Sequence, residues 1–403
     1  MGLYRRGFLA GTAAGLLPVG GRAQGTAPIR IGVLNDQSGV FSDSTGHGSV
    51  VAAQMAAADF GGHAAGRPVE IIAADHQNKP DVGASIARDW FDNHGVDAIA
   101  DLGNSAVALA VAGVAHQKNK VVLVSAGGTT ALTGAQCAPT TVQWTYDTWS
   151  NATTLARTML GQGGDTWFFI TADYMFGHNL QNEATAVILK AGGRVLGSAA
   201  HPLNTQDFSA FLLQAQASGA KVVALANGGD DTGRSMKQAR EFGLTQTQRM
   251  VGLSAMITDV HALGLETAQG LYLTETFYWN LDDDTRAFGE RWAKQMGGQM
   301  PDMMQAGNYS TVLHYLEAVQ DLGRSDDGAA VVARMKAVTY DDKLFGRTHI
   351  RADGRAIHAA YTFRAKAPAQ SHGPWDLYDL VATLTGEETV RPLAEGGCSM
   401  VRS

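Results

Sequence analysis

The chain has 403 residues, a formal charge of −7, 45% apolar residues and only 17% charged ones. At roughly 150 residues per domain that length predicts two domains, and so apolar a composition excludes a disordered chain or a coiled coil. The negative charge repels phosphate backbones, so no nucleic-acid partner is expected.

Residues 1–23 stand apart. Arg5-Arg6 precede Gly7-Phe8-Leu9, an apolar stretch to Val19 and Gly21-Arg22-Ala23, the pattern of a twin-arginine export signal. Its apolar part falls short of the ~20 residues a span needs, so no stable membrane insertion is expected. No cysteine lies near the cleavage point, which predicts a chain free in the periplasm. Loss of Arg5, Arg6 and Arg22 would move the formal charge from −7 to −10.

The mature chain opens on the strand-like IRIGVL (29–34) and an Ala-rich helical pattern closed by Gly61-Gly62. VEIIAAD (69–75), a helix begun by Pro80, DAIADL, a helix over 105–119 and VVLVSA continue the series. These runs are apolar nearly throughout, as in parallel strands covered on both faces. After the aromatic connector QWTYDTW (143–149), alternation restarts with TWFFITAD, RVLGSAAHPL, KVVALAN and MVGLSA, each separated by a helical pattern. Two such blocks predict an α/β protein with two doubly wound parallel sheets.

Beyond LYLTETFYWN (271–280), helices near 285–296, 303–322 and 328–338 should return to cover the first lobe, while AIHAAYTFRAK and WDLYDLVATL suit edge strands of the second. Both lobes are then discontinuous: 28–145 with 277–349, and 146–276 with 350–390, leaving 391–403 as a tail. Cys137 and Cys398 are the only cysteines. An oxidising compartment favours a bond between them over two buried thiols, which would tie the tail to the loop after Thr133.

Ligands of open parallel sheets bind beyond the carboxyl ends of strands. Those places hold Phe41 and Ser42, Asn104 and Ser105, Gly128 and Thr129, Asp173, Tyr174 and Phe176, Asn227, Asp230, and Ser254. Neither Ser105 nor Ser254 has the second glycine of a nucleophile elbow, and no lysine follows the glycines as a phosphate loop requires. The dinucleotide fingerprint is missing, and the 12 histidines form no ligand pattern, so neither cofactor nor metal is expected. Small hydroxylic and aromatic groups bind rather than react. Ser105 and Thr129, each at the start of a helix-like segment, could offer hydroxyls and free N–H groups to a carboxylate, or could simply cap those segments. Phe41, Tyr174 and Phe176 in loops suit a ligand's apolar face. For Trp144, Tyr146, Trp149, Phe277, Tyr278 and Trp279, on crossings between lobes, hinge packing competes with ligand contact. Asp230 could meet a ligand cation or favour a helix start.

The stretches beginning IRIGVLNDQSGVF, DLGNSAVALAV, VVLVSAGGTTALTG, FFITADYMFGHNLQ and KVVALANGGDDT are similar to the periplasmic substrate-binding proteins of ABC importers. The resemblance runs from about Ile29 to the C-terminus. It is strongest to the branched-chain amino acid (Leu/Ile/Val-binding) type and its branch associated with aromatic acids. It implies a type I periplasmic binding protein: two lobes on a three-strand hinge, a monomer that closes over a small carboxylate and presents it to an ABC permease. It also matches Asn104, Ser105, Gly128 and Thr129 to positions that hold the ligand carboxylate, Phe176 to a second-lobe aromatic, and Asn227 to a strand-end contact. In amino acid binders an acid follows the strand that here ends Val251-Gly252-Leu253; Ser254 stands there instead. That departure favours an aromatic or other carboxylate without an amine, with a branched-chain or other amino acid, or an amide, as the alternative. A sensory co-receptor would use the same closure, an exported hydrolase would need a Ser–His pair, and a repressor-like regulator would begin with a DNA-binding head.

Overall fold

The computed structural model describes residues 27–401, together with Met1. The segment read as an export signal otherwise lies outside the described residues.

The first block runs β1 (Ile29–Asn35), α1 (Gly46–Asp59), β2 (His63–Ala64), β3 (Arg67–Asp75), α2 (Pro80–Asn93), β4 (Val96–Asp101), α3 (Ser105–Gln117), β5 (Val121–Val124) and β6 (Thr141–Gln143). Its six strands form one sheet in the order β2-β3-β1-β4-β5-β6, parallel except for the β2–β3 hairpin. Ile31, Val33 and Leu34 of the central β1 are wholly buried on both faces, which is why the strand does not alternate.

The second block comprises α4 (Thr148–Gly161), β7 (Thr166–Ala172), α5 (Met175–Lys190), β8 (Arg194–His201), α6 (Ser209–Ser218), β9 (Val222–Ala226), α7 (Asp230–Glu241), β10 (Arg249–Gly252), α8 (Ile257–Leu263), α9 (Leu265–Ala268) and β11 (Tyr272–Glu275). The chain then forms α10 (Asp283–Gln295), α11 (Met303–Leu322), α12 (Gly328–Lys336), β12 (Thr339–Asp342), β13 (Gly346–Ile350), β14 (Ala356–Ile357), β15 (Ala360–Ala365) and β16 (Tyr378–Leu384). The second sheet has the order β16-β15-β11-β10-β9-β7-β8, with β15 and β16 antiparallel at its edge.

Helices α10, α11 and α12 pack back on the first lobe. The Trp292 indole donates to Gly48 O (3.2 Å) and the Asn308 amide to Ser49 O (2.8 Å), fastening α10 and α11 to α1. The small antiparallel sheet β12-β13-β14 was not expected from the sequence. Its strands have four, five and two residues, too few to show a period of two. It is held by Tyr340, whose ring packs on His314 of α11 at 3.8 Å.

The chain passes between the sheets after β6, after β11 and between β14 and β15. Arg355, 2% exposed, ties the first and third passages together: Nε donates to Asp147 Oδ2 (3.2 Å), and its other nitrogens donate to the carbonyls of Gln143, Trp144 and Thr145. Asp147 also caps α4 by accepting from Ser150 N (2.7 Å). In the second passage Glu275 accepts from the Tyr378 hydroxyl (2.9 Å) and Met303 N (3.4 Å). Aromatics cluster here as packing: Phe277 against Phe288, Tyr278 against Tyr378 and Phe363, and Trp144 against His314. Cys137 and Cys398 are bonded, with Cα atoms 5.6 Å apart, so the tail that follows β16 is covalently tied to the first lobe.

Candidate functional site

A narrow, closed cavity lies between the lobes, with free space for little more than a water molecule in this closed form. The first lobe lines it with Phe41, Ser44 and Thr45 before α1, Gly103 and Ser105 at the start of α3, Gly128 after β5, and Met304 of α11. From the second lobe come Tyr174 and Phe176 at the start of α5, Gly228 and Gly229 after β9, and Ser254, Met256 and Asp259 after β10. Tyr146, on the first passage, lines it as well.

Local chemistry fixes these positions. The Asp36 carboxylate accepts from Gly39 N (2.7 Å), Phe41 N (3.0 Å) and the Asn78 amide (2.5 Å), curling the loop so that Phe41 faces the other lobe. Asn104 caps α3, accepting from Ala106 N (3.0 Å) and Val107 N (3.3 Å). That leaves Ser105, 3% exposed, with a buried hydroxyl that has no protein partner and borders the cavity. A donor at a helix start, where the backbone dipole is positive, is a place for an anion. Tyr146 donates its hydroxyl to Ala126 O (3.0 Å), and Tyr174 and Phe176 pack at 6.0 Å. Burial raises the phenols of Tyr146 and Tyr174 above their ordinary value, so both stay neutral donors. Burial likewise pushes the Asp259 carboxyl up to about 7, against one bond from Met256 N.

Of the sequence-derived candidates, Phe41, Ser105, Gly128, Tyr146, Tyr174, Phe176 and Ser254 meet around this cavity. The others stand outside its lining. Thr129 is wholly buried and off the lining, and its hydroxyl oxygen accepts from Ala131 N (3.3 Å) and the Asn179 amide (3.4 Å). The Asn104 amide oxygen caps α3, and neither Asn104 nor Ser42 lines the cavity. Asn227 is locked by His201 (3.2 Å) and Thr232 (2.8 Å). Asp173 and Asp230 are exposed and paired with His178 (2.9 Å) and Arg234 (2.7 Å). Ser44, Thr45, Met256, Asp259 and Met304 were missed. Met256 and Asp259 lie at the N-cap and in the first turn of α8, so the strand-end rule extended into the start of the following helix would have found them; Met304 returns on α11, which no local signal reveals.

The lobes are in contact. Thr130 of the first donates to Glu183 of the second (2.9 Å), and Phe41 lies over Gly228 and Gly229. Among the described residues, no group of three or more His, Cys, Asp or Glu side chains could hold a metal ion, and no helix is long and apolar enough to cross a membrane.

Two parallel-sheet lobes closed over a small polar and aromatic cavity define a solute receptor. The chain belongs to the periplasmic binding protein family, whose model matches residues 28–372. It is similar to a periplasmic binding protein of Burkholderia mallei (44% identity, TM-score 0.89, covering 93% of this chain and 99% of that one). A branched chain amino acid ABC transporter periplasmic ligand-binding protein of Burkholderia xenovorans LB400 shares 41% identity at a TM-score of 0.85, over 92% and 99% of the two chains. A Leu/Ile/Val-binding protein homolog 6 of Brucella abortus (strain 2308) is 25% identical over 82% of this chain and 86% of its own. The fold also recurs in a solute binding protein of R. palustris in complex with 4-hydroxybenzoate (19% identity, TM-score 0.81, 89% and 97% covered) and in another with benzoate (16%, 0.80, 92% and 99%). Family and fold are those of transport receptors, not enzymes: binding proteins of ABC importers take up small molecules in the periplasm and deliver them to permeases.

Proposed function

We propose that this receptor captures a small carboxylate carrying an aromatic ring and delivers it to an ABC permease. The observation that carries the reading is the unpartnered, buried Ser105 hydroxyl at the start of α3, facing a cavity walled by Phe41, Tyr146, Tyr174 and Phe176. The carboxylate docks at Ser105 on the open first lobe. Closure then brings Tyr174 and Phe176 over the ring, and the solute favours the closed state because only there does it touch both lobes. Fold neighbours that hold benzoate and 4-hydroxybenzoate support the ligand class by analogy.

A second reading, an amino acid, is favoured by one observation: although Ser254 stands where an acid was sought, Asp259 five positions on reaches the cavity. Calorimetry with benzoate, 4-hydroxybenzoate, phenylalanine and leucine separates the two readings. Ser105→Ala should weaken the bound acid by about 1.5–3 kcal/mol, the contribution of a hydrogen bond to a charged group. Unchanged affinity would remove Ser105 from the site.

A further inference from the structure

One face of α5 seals the lobes. Phe176, Asn179 and Glu183 follow one another at spacings of three and four residues, so they lie on one side of that helix. They meet three consecutive residues of the first lobe. A Cβ on Gly128 would stand 2.9 Å from the Phe176 ring, the Asn179 amide donates to Thr129 Oγ1 (3.4 Å), and Thr130 Oγ1 donates to Glu183 Oε1 (2.9 Å). Asn179 and Glu183 stand outside the cavity lining, so their contacts join lobe to lobe without passing through a solute. Glu183 is the ionisable member of the set. Its Oε2 is buried with no partner among the described residues, and the Thr148 hydroxyl of α4, buried and unpartnered too, acts on the same carboxyl.

The charged groups that face Glu183 are Asp147, of its own sign, and Arg391 of the tail, whose Nη2 donates to Thr130 O and Gly396 O. The other elements against α5 are α3, β7, β8 and β9; their ionisable side chains are His201, held by Asn227, Arg194, beside Asp165, and His116, in the last turn of α3. Ionised, the Glu183 carboxyl would hold an oxygen away from water with no hydrogen bond made to it. Neutral, it can donate from Oε2 to Thr148 Oγ1 while Oε1 still accepts from Thr130. Burial pushes the group up to about 7, Asp147 adding to the rise and Thr148, Thr130 and Arg391 opposing it. We infer that Glu183 is a positioning residue for closure: as a neutral acid it latches α5 to Thr130, and the receptor takes up a proton there as the lobes come together. The latch serves any solute that favours the closed form, so it goes beyond the carboxylate reading and does not depend on it. Once the lobes part, the carboxyl returns to water and to its ordinary value of about 4.3. A group that binds its proton more tightly in the closed form favours closure fully below about 4.3, and that contribution is lost as pH rises through about 7. From pH 6 to pH 8 solute affinity should fall about ten-fold.

The competing role for Glu183 is to hold α5 in place in open and closed forms alike, which would move the melting point and leave closure indifferent to pH. Glu183→Gln separates the two, since its amide still accepts from Thr130 and can donate to Thr148 but does not titrate. Calorimetry at pH 6 and pH 8, with benzoate, 4-hydroxybenzoate, phenylalanine and leucine as probes, should show every probe that binds doing so about ten-fold more weakly at pH 8. Glu183→Gln should bind at pH 8 as the wild type binds at pH 6, and Glu183→Ala weakly at both. Wild-type affinity that is level across this range overturns the inference. So does a fall that Glu183→Gln leaves as steep, which would assign the proton to another raised acid such as Asp259. If none of the four probes binds, the carboxylate and amino acid readings fall together, and small-angle scattering of the ligand-free receptor decides this one. The wild type should then be more compact at pH 6 than at pH 8 and Glu183→Gln compact at both, whereas equal wild-type dimensions at the two pH values overturn the inference.

Discussion

Two glycines let the cavity close. A Cβ on Gly128 would stand 2.9 Å from the rings of both Phe176 and Tyr146, so only the bare backbone leaves room for the aromatic wall. Gly229, at φ +57°, would place a Cβ 2.5 Å from Val40 O on the opposite lobe. Gly229→Ala should therefore hold the lobes apart: small-angle scattering would show no compaction on ligand addition, and affinity would fall by roughly ten-fold or more, the penalty for a poorly populated closed state. Normal compaction would show that the loop after β9 gives way instead. Half of what lines the cavity was legible at this scale, because strand ends of a parallel sheet are where side chains are free to face a ligand. Ser105 and Phe41 follow from that rule. Thr129 satisfies it equally, yet it does not line the cavity, and its hydroxyl oxygen accepts from Asn179, a partner 50 residues away that no local pattern announces.

Among the elements, the passages between lobes are tied by charge as well as by sheet pairing. Arg355 and Asp147 form an ion pair in which both groups are almost completely buried, and three carbonyls complete the guanidinium's bonds. Arg355→Met leaves Asp147 charged, buried and half-partnered, and should destabilise the fold by about 3–5 kcal/mol in urea unfolding. A shift under about 1 kcal/mol would mean that water replaces the arginine. The tail is a further tie. Arg391 donates to Thr130 O and Gly396 O, both at 3.3 Å, and the disulfide joins residues 261 apart. Reduction and alkylation should cost about 2–5 kcal/mol and expose residues 391–401 to protease, with melting followed by circular dichroism. An unmoved melting point would assign the tail's attachment to Arg391. The helices and parallel strands were readable from apolar runs and glycine or proline punctuation. The β12-β13-β14 sheet was not, since its strands are defined by their partners rather than by their own pattern.

At the scale of the molecule, the fold gathers acids away from water. Burial raises Asp259 and Glu183 to about 7, and raises Glu275 and Asp302 well above their ordinary values, with like-charged neighbours adding to all four. His314 is raised as well: burial opposes its charge, but carboxylates of Asp342 and Glu317 on its two nitrogens prevail. His76 and His358, pulled down to about 4 by burial, act in the other direction, but only below the ordinary histidine value of about 6.5. Above that pH every one of these raised groups binds its proton more tightly folded than unfolded, so stability must fall as pH rises. The ligand-free protein should lose a few degrees of Tm, roughly, between pH 6.5 and 8, measured by scanning calorimetry. A flat or rising profile would mean that the acids are solvated in the free receptor, as an open cleft would allow.

The sequence by itself determined the two α/β blocks, the return of the C-terminal helices to the first lobe and the strand ends from which most of the cavity is built. These follow from local periodicity and from the rule that parallel strands bury both faces. Only the tertiary structure decided which candidates face one another. It left Thr129 off the cavity wall and brought in Met304 and Asp259, because the distance between two lobes is fixed by closure and not by spacing along the chain.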